Sequence, residues 1–553
     1  MRIALAQLDP TVGDLNGNGR KIAEFIDRAA AERADLVVFS ELSVMGYPPR
    51  DLLRKEGFVA DNVAAVEALA RKCTRIAALV GYVRPTPGGR GRPLQNAAAL
   101  LADGQIRHVH VKSLLPTYDV FDETRYFQPG GASQSIELLG RRLGLSICED
   151  LWDAVALGRD IYGSDPIEAL TVGGANVIIN MAASPFQVGK AQLRESLFAR
   201  QAGRCGAPIV YVNQVGGNDE LIFDGSSCVV GPDGRVLGRA ASFREDLLVV
   251  DIDSPGADRC ETLGSDVERL SAALKLGLAD YVHKCGFRSA VLGLSGGIDS
   301  AVVAALAADA LGKENVTALA MPSRYSSEHS LSDAKALAAN LGIALDILPI
   351  EPMHVAYGQV LQQTMRVGSL EGVEENIQAR IRGNLVMAYS NKYGHLALAT
   401  GNKSELSTGY CTLYGDMAGA LAPIGDVLKT SVYKLSHQLN AEAGFERIPR
   451  GVIDKAPSAE LKPNQFDQDK LPPYDLLDRI LAQYVEEDRT AGQIIAAGFD
   501  AAVVNRVVAM VDAAEFKRKQ APPVLKVSPR AFGAGRRMPI AQRYEPFRDS
   551  NKT

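Results

Sequence analysis

The sequence predicts an α/β protein whose later half is a doubly wound parallel sheet. Three observations carry this. Short apolar strands alternate with helical patterns along most of the 553 residues. At 289–311, SAVLGLSGGIDSAVVAALAADAL, an apolar strand (Ala290 to Leu294) breaks at Ser295-Gly296-Gly297, and an Ala/Val-rich helix begins near Asp299. Residues 253–264, DSPGADRCETLG, lose apolar periodicity and read as a connection between two halves. Single cores rarely grow past about 250–300 residues, so a chain of this length should hold about two to four domains. The boundaries drawn are 1–253, a linker at 254–264, and 265–553.

Composition narrows the function class. Hydrophobic content of 46% and charged content of 23% are those of a soluble globular protein. A net charge of −5 gives no electrostatic reason to expect nucleic acid or an anionic membrane as partner. The opening MRIALAQLDP has an apolar run cut by Asp9 and Pro10, too short for a signal peptide. No run approaches the ~20 apolar residues of a membrane span. Seven cysteines without a C-x-x-C pair and seven histidines without H-E-x-x-H argue against zinc ribbons, zinc proteases and disulfide frameworks. A reduced cytoplasm is the expected compartment.

Taken in order, the first half opens with a strand at Arg2–Leu8 and a helix at Gly19–Arg33, where Ile22, Phe25, Ile26 and Ala29 recur at helical spacing. Leu36–Ser40 is a buried strand ending on Glu41. Asn96–Leu101 and Ile106–Val111 form a hairpin across Asp103-Gly104, and the second strand ends on Lys112. Leu143–Ile147 ends on Cys148, and Val177–Met181, Ile209–Asn213 and a hairpin around Pro232-Asp233-Gly234 complete the layers. Three residues of unlike chemistry thus sit at three strand ends, where α/β sheets assemble sites. A thiol is a useful nucleophile only when it loses its proton; a carboxylate can accept that proton, and an ammonium can stabilise the resulting anions.

The segments FSELSVMGYPPRDLL, HVKSLLPTYDVFDETRYF and LSICEDLW resemble the nitrilase/amidase family, whose triad is Glu-Lys-Cys. The resemblance implies a nitrilase-like α-β-β-α sandwich, with Glu41 as general base, Lys112 as oxyanion and orienting cation, and Cys148 as acyl-forming nucleophile. It also implies a supporting acid at Glu123, and glutamine-binding positions at Tyr118, Ser184 and Lys190.

In the second half, the double glycine lets backbone N–H groups approach a ligand, and Ser295, Ser300 and the helix N-terminus suit an anion such as phosphate. No Gly-Lys-Ser/Thr follows, so this is not a Walker loop. A helix over about Ser265–Cys285 leads into it, and strands at Val316–Met321 and Ile343–Ile350 follow. Next comes a helix, VEENIQARIRGNLVMAYSNKYG (373–394), with a buried stripe of Leu385, Val386 and Tyr389. A strand at Leu396–Thr400 then opens into a Gly-Asn loop bearing Glu405. If the anion is a polyphosphate it needs Mg²⁺, served by one or two carboxylates plus phosphate oxygens, and Asp299 and Glu405 are the candidates.

The pattern S-G-G-x-D-S resembles the loop of the N-type ATP pyrophosphatases, which implies a sheet of the adenine nucleotide alpha hydrolase type. Together with EENIQARIR, ATGNKSE, the YGDMAG run, GDVLKTSVY and PSAEL, it resembles the ammonia-activating NAD synthetases. That likeness implies ATP contacts from Gly293, Leu294, Ser295, Gly296, Gly297, Ile298, Asp299, Ser300, Thr400, Lys429 and Ser458. It implies deamido-NAD contacts from Asn376, Glu405 and Lys517. One position departs: forms using free ammonia tend to carry a lysine before the Tyr/Phe-Gly-Asp run, and here Leu413 stands there.

The two likenesses together imply a glutamine-dependent NAD synthetase, taking glutamine, ATP and deamido-NAD⁺ as small-molecule partners, working with Mg²⁺ and forming a homo-oligomer. Two alternatives stay open at this level. One is a nitrilase-type amidase fused to a pyrophosphatase that modifies RNA. A basic face or added aromatic platforms would favour it, and the acidic charge and 6% aromatic content do not. The other is a nucleotide-sensing scaffold with dead sites, against which the intact Glu41, Lys112, Cys148, Asp299 and Glu405 speak.

Overall fold

The protein is described here from a computed structural model that covers all residues except 90, 132–133, 255–258, 365–371, 459, 463–464 and 545–553. The middle of the expected linker therefore lies outside the described residues. The chain divides into two compact units: Met1–Arg288 with Leu306–Gly312 and Leu525–Ser528, and Ser289–Ala305 with Lys313–Val524 and Pro529–Thr553.

In chain order the first unit has β1 (Arg2–Gln7), β2 (Leu36–Val38), β3 (Ala77–Pro85), β4 (Leu94–Ala102), β5 (Gln105–Val111), β6 (Ser135–Leu138) and β7 (Arg141–Ile147). It continues with β8 (Val177–Ala182), β9 (Ile209–Asn213), β10 (Val215–Asn218), β11 (Leu221–Asp224), β12 (Cys228–Val230), β13 (Val236–Arg239) and β14 (Asp246–Asp251). Among the described residues they form two six-stranded mixed sheets, ordered β14-β1-β2-β3-β4-β5 and β13-β12-β9-β8-β7-β6, plus the β10–β11 ribbon. Strand alternation decides what each face covers. Ile3 and Leu5 of β1 meet Leu145, Ile147 and Ile179 in a core between the sheets. Ala4 and Ala6, on the opposite face, join Ile22, Phe25, Val66 and Leu69 of the helices Leu15–Ala31 and Glu56–Ala70. Helices outside sheets packed face to face are the α-β-β-α sandwich expected. The β4–β5 turn falls at Asp103-Gly104, both left-handed (φ 51° and 74°), as a two-residue hairpin requires.

The helix Asp266–Lys284, capped by a reciprocal Ser265–Glu268 pair, packs on β10 and β11 of the first unit. Arg269 donates to Asp224 at 2.6 Å near its start, and Lys284 to Asp9 at 2.6 Å at its end. Composition placed this helix with the second half; its contacts place it with the first.

The second unit is built on β15 (Ala290–Gly293), β16 (Val316–Ala320), β17 (Ala344–Ile347) and β18 (Leu396–Leu398). These run in the order β17-β16-β15-β18, every neighbouring pair parallel. The winding moves outward from β15 to β17, then returns to the other side of β15. With right-handed crossovers this reversal puts helices on both faces and opens a crevice beyond the carboxyl ends of β15 and β18. The helix Val373–Tyr393 corrects one expectation. Its buried residues include Ile377, Ile381, Gly383 and Val386, while Leu385 and Tyr389 are only partly covered. The cause is two-sided packing: Val386 meets the sheet residues Val291 and Ala397, and Ile377 and Ile381 meet Ile350. Among the described residues, no helix is long and apolar enough to cross a membrane.

Candidate active site

Glu41 lies just beyond β2, where the chain must press against β3. A Cβ on Gly81 would sit 2.5 Å from the Ser40 carbonyl oxygen, so glycine is needed there. Lys112 is the first residue after β5, and Cys148 the first after β7, with a left-handed backbone (φ 45°) costly for a non-glycine residue. The three expected strand ends do converge. Lys112 Nζ donates to Glu41 Oε1 at 2.7 Å and to Glu123 Oε1 at 2.8 Å, all three side chains at most 4% exposed. Asn96 Nδ2 also donates to Glu41 Oε1 at 2.7 Å, the Ala183 N–H donates to Glu41 Oε2 at 3.1 Å, and the Tyr47 hydroxyl donates to Glu123 at 2.9 Å.

One cation between two buried carboxylates sets the electrostatics. Burial works to lower the Lys112 pKa, but Glu123 and Glu41 outweigh it and hold the ammonium well above its usual range. Burial, with the charge of Glu41 added, raises the Glu123 carboxyl to about 7 despite Lys112. Burial, then the negative charge of Glu41, pushes the Cys148 thiol well up, against the pull of Lys112. The Cys148 thiol therefore rests neutral near the Glu41 carboxylate, and a nucleophilic role for it would require deprotonation to accompany attack.

Around the triad stand the expected glutamine positions. The Tyr118 hydroxyl donates to both oxygens of Glu149 at 2.9 and 3.0 Å, and the Tyr162 hydroxyl donates to Glu149 Oε1 at 2.8 Å. The Ser184 N–H donates to Asn213, and its carbonyl accepts from Arg194 at 2.8 Å. Arg194 Nη1 donates to both oxygens of buried Asp224, at 2.7 and 2.9 Å. Lys190 Nζ donates to the Pro185 carbonyl at 3.0 Å; burial, then the charges of Arg194 and Lys526, lower its pKa to about 7.

In the second unit, the loop after β15 turns at Gly296 (φ 77°), where a Cβ would stand 2.4 Å from the Ser330 carbonyl oxygen. Ser295 and Ser300 brace it: their hydroxyls are 3.1 Å apart, and the Gly297 N–H donates to Ser295 Oγ at 3.2 Å. A cavity of about 290 Å³ opens at the switch point. Gly293, Leu294, Ser295, Gly297, Ile298, Asp299, Ser300, Thr400, Glu405, Lys429 and Ser458 line it. Gly296 is not among the lining residues; it shapes the turn from behind.

Lys429 pairs with Asp299 and lies 3.8 Å from Glu405. Burial works against its charge, but Asp299 and Glu405 raise its pKa overall. Burial and then the charge of Asp299 push Glu405 well up. Asn376 and Lys517 do not line the cavity. Asn376 bonds the Gly372 carbonyl and Thr412, and Lys517 donates to the Gly409 and Cys411 carbonyls at 2.7 and 2.8 Å. Both hold the 409–412 segment, whose Tyr410 and Thr412 do face the cavity.

Comparison with known proteins joins these two sites. The carbon-nitrogen hydrolase family profile matches residues 2–261, and the NAD synthase profile matches 270–521. The glutamine-dependent NAD(+) synthetase of Synechocystis sp. is 50% identical over 98% of this chain and 99% of its own. The chain belongs to the glutamine-dependent NAD(+) synthetases. That of Thermotoga maritima is 41% identical, covering 99% of both chains. The solved structure of the Acinetobacter baumannii synthetase in complex with ADP superposes with a TM-score of 0.77 at 39% identity, covering 98% of each chain.

For a synthetase of this family, sequence reasoning overlooked several residues in its sites. Glu149 follows the nucleophile and gathers two tyrosine hydroxyls. Asp150, 1% exposed, accepts from the Ser113 and Leu114 N–H groups at 3.0 and 2.8 Å and from the Ile147 N–H at 3.0 Å. It ties the backbone after Lys112 to the backbone before Cys148. A C-E-D run beside a strand end was the available signal. Arg382 lines the cavity of the second unit, and burial, partly offset by Glu460, lowers its pKa to about 10. Such a cation suits a phosphate.

Proposed function

We propose that this chain makes NAD⁺ from deamido-NAD⁺, ATP and glutamine, each unit carrying one half of the chemistry. The observation that carries the proposal is the coexistence, in one chain, of the Glu41–Lys112–Cys148 cluster and the Ser295–Ser300 cavity. Cys148 Sγ attacks the carboxamide carbon of glutamine while Glu41 takes the thiol proton. Lys112 stabilises the oxyanion and stays charged throughout. Glu41 returns the proton to the leaving nitrogen, ammonia departs, and the thioester is hydrolysed by a water that Glu41 deprotonates. Tyr118, Ser184 and Lys190, with Glu149 added, recognise the amino-acid end of glutamine, the carboxylate of Glu149 suiting its ammonium. Glu123 holds Lys112.

In the second unit the nicotinate carboxylate of deamido-NAD⁺ attacks the α-phosphate of ATP and pyrophosphate leaves. Ammonia then displaces AMP from the acyl adenylate. The loop 293–300, Thr400, Lys429, Ser458 and Arg382 bind ATP. Glu405 meets the acceptor, and Asn376 and Lys517 act on it through the segment they hold. Among the described residues no group of three or more His, Cys, Asp or Glu forms a metal cage. Two carboxylates that share Lys429, one of them pushed up by burial and then by the other's charge, instead suit a cation that takes its remaining ligands from phosphate. Asp299 and Glu405 would hold Mg²⁺, which neutralises triphosphate charge when bound. Ammonia passes between the reactions without meeting bulk water, where most of it would become ammonium, which has no lone pair to attack with.

The profile matches, 2–261 and 270–521, support a functional division into a glutamine amidohydrolase domain and a synthetase domain close to the boundaries 1–253 and 265–553, with the helix Asp266–Lys284 packed on the first. Seven free thiols support a cytoplasmic home. The test is product analysis with ATP, glutamine and a panel of acceptors. NAD⁺, AMP, pyrophosphate and glutamate in equal amounts are expected; AMP without NAD⁺ from deamido-NAD⁺ would overturn the reading.

A further inference from the structure

We propose that Leu525–Ser528, four residues from near the end of the chain, are a working part of the glutamine site, with Lys526 as the residue that positions the loops bearing Tyr118 and Lys190. The proposal rests on reading those two residues as glutamine contacts. By their contacts these four residues belong to the first unit, although the chain on both sides of them belongs to the second.

The segment is built in. Leu525, Lys526 and Val527 are at most 3% exposed. The Lys526 N–H donates to the Glu220 carbonyl at 2.8 Å, and the Val188 N–H donates to the Val527 carbonyl at 2.9 Å. A Cβ on Gly277 would stand 2.8 Å from Ile222 Cγ1 and 3.1 Å from Leu525 Cδ2, so the helix Asp266–Lys284 makes room for both with a glycine. Lys526 Nζ pairs with Asp119 Oδ2 at 3.1 Å and donates to the Ser528 carbonyl at 2.7 Å.

Its two sides meet two loops of the glutamine site. Asp119 is left-handed (φ 50°) and adjoins Tyr118, whose hydroxyl reaches Glu149 beside the nucleophile. Val188 precedes Lys190 by two residues, across the left-handed Gly189 (φ 80°). The charge of Lys526 also bears directly on Lys190. Burial area alone would be served as well by an apolar side chain. A buried ammonium on one carboxylate selects a single register, because any slip leaves the charge unpaired. Lys526 thus sets how far apart the Tyr118 and Lys190 loops stand. It is a positioning residue.

The test uses the full-length protein with Lys526→Met, which keeps the stem and removes the charge, and Lys526→Arg. Glutamine KM and kcat for glutamate release are measured beside NAD⁺ formation from saturating ammonium. We expect Lys526→Met to raise glutamine KM about 10-fold with the ammonium-driven rate within roughly twofold, and Lys526→Arg to return KM to within about threefold. An unchanged KM in Lys526→Met, or equal losses in both assays, would overturn the proposal. Should Lys526→Met not fold, Asp119→Asn must raise KM by about threefold, and an unchanged KM there is equally fatal. Tyr118→Phe and Lys190→Met run alongside. If neither raises KM, the underlying reading of the glutamine contacts fails; if they do and Lys526→Met does not, only the strap fails.

Discussion

The two sites of this protein solve opposite problems. In the first unit the reacting groups are the protein's own, and they are packed before substrate arrives. Lys112 already bridges Glu41 and Glu123 at 2.7 and 2.8 Å, and backbone N–H groups already aim the carboxylates. In the second unit the reacting groups are to come with the ligands, and the protein supplies room: a cavity of about 290 Å³, a glycine turn, and a charged lining in which Lys429 pairs with Asp299. Covalent catalysis needs preorganised side chains, whereas adenylation needs a shaped, charged container. Substitutions should therefore fail differently in the two places.

The sharpest break comes from Cys148→Ala. Glutamine-dependent NAD⁺ formation should fall by at least about 10⁴-fold, because no other group can carry the thioester. Synthesis from high ammonium should persist. Loss of both activities in a folded variant would show that the halves are not separable.

Asp299→Asn reverses the pattern. Pyrophosphate release should drop about 10²–10³-fold with either nitrogen source, while glutamine hydrolysis survives. Normal release at modest Mg²⁺ would remove Asp299 from the site.

A smaller effect separates packing from chemistry within the first unit. Asp150→Asn replaces a carboxylate that accepts three N–H groups with an amide that cannot accept them all. Glutamate release should lose about 10–100-fold in kcat with little change in KM, since the thiol and cation are displaced and the amino-acid contacts are not. A change in KM alone would contradict the tie between Lys112 and Cys148.

The smallest effect is one of pH. Lys190, its pKa lowered to about 7 chiefly by burial, is charged below that pH and neutral above it. Glutamine KM should rise severalfold between about pH 6 and 8 as the cation is lost, and Lys190→Arg should flatten the rise because guanidinium stays charged. A KM that falls with pH would exclude Lys190 as the carboxylate partner.

These contrasts explain what could be read before the fold was known. Glu41, Lys112 and Cys148 were legible because each ends an apolar strand, and strand ends in such sheets converge. The Ser295–Ser300 loop was legible because strand, glycines and helix are contiguous. Asp150 carried only the faint mark of a C-E-D run, since its hydrogen bonds go to backbone N–H groups, and Arg382 looks like any charged helix residue until its burial is seen. The stripe on Val373–Tyr393 caught only part of the buried face, because the helix packs on a sheet and a helix at once, which a single periodicity cannot show. Lys526 was invisible because its partner Asp119 stands in the opposite half of the sequence.

The central claim is that nitrogen freed at Cys148 is the nitrogen that enters NAD⁺. The direct measurement supplies glutamine isotopically labelled in its amide nitrogen, with ATP, deamido-NAD⁺ and a large excess of unlabelled ammonium at neutral pH, and follows early turnover by mass spectrometry of the product. NAD⁺ carrying label far above the bulk ammonia ratio is the result expected, and the label should vanish in Cys148→Ala. Label diluted to the bulk ratio would show that ammonia equilibrates with solvent, and that the two sites share a chain without sharing a reaction.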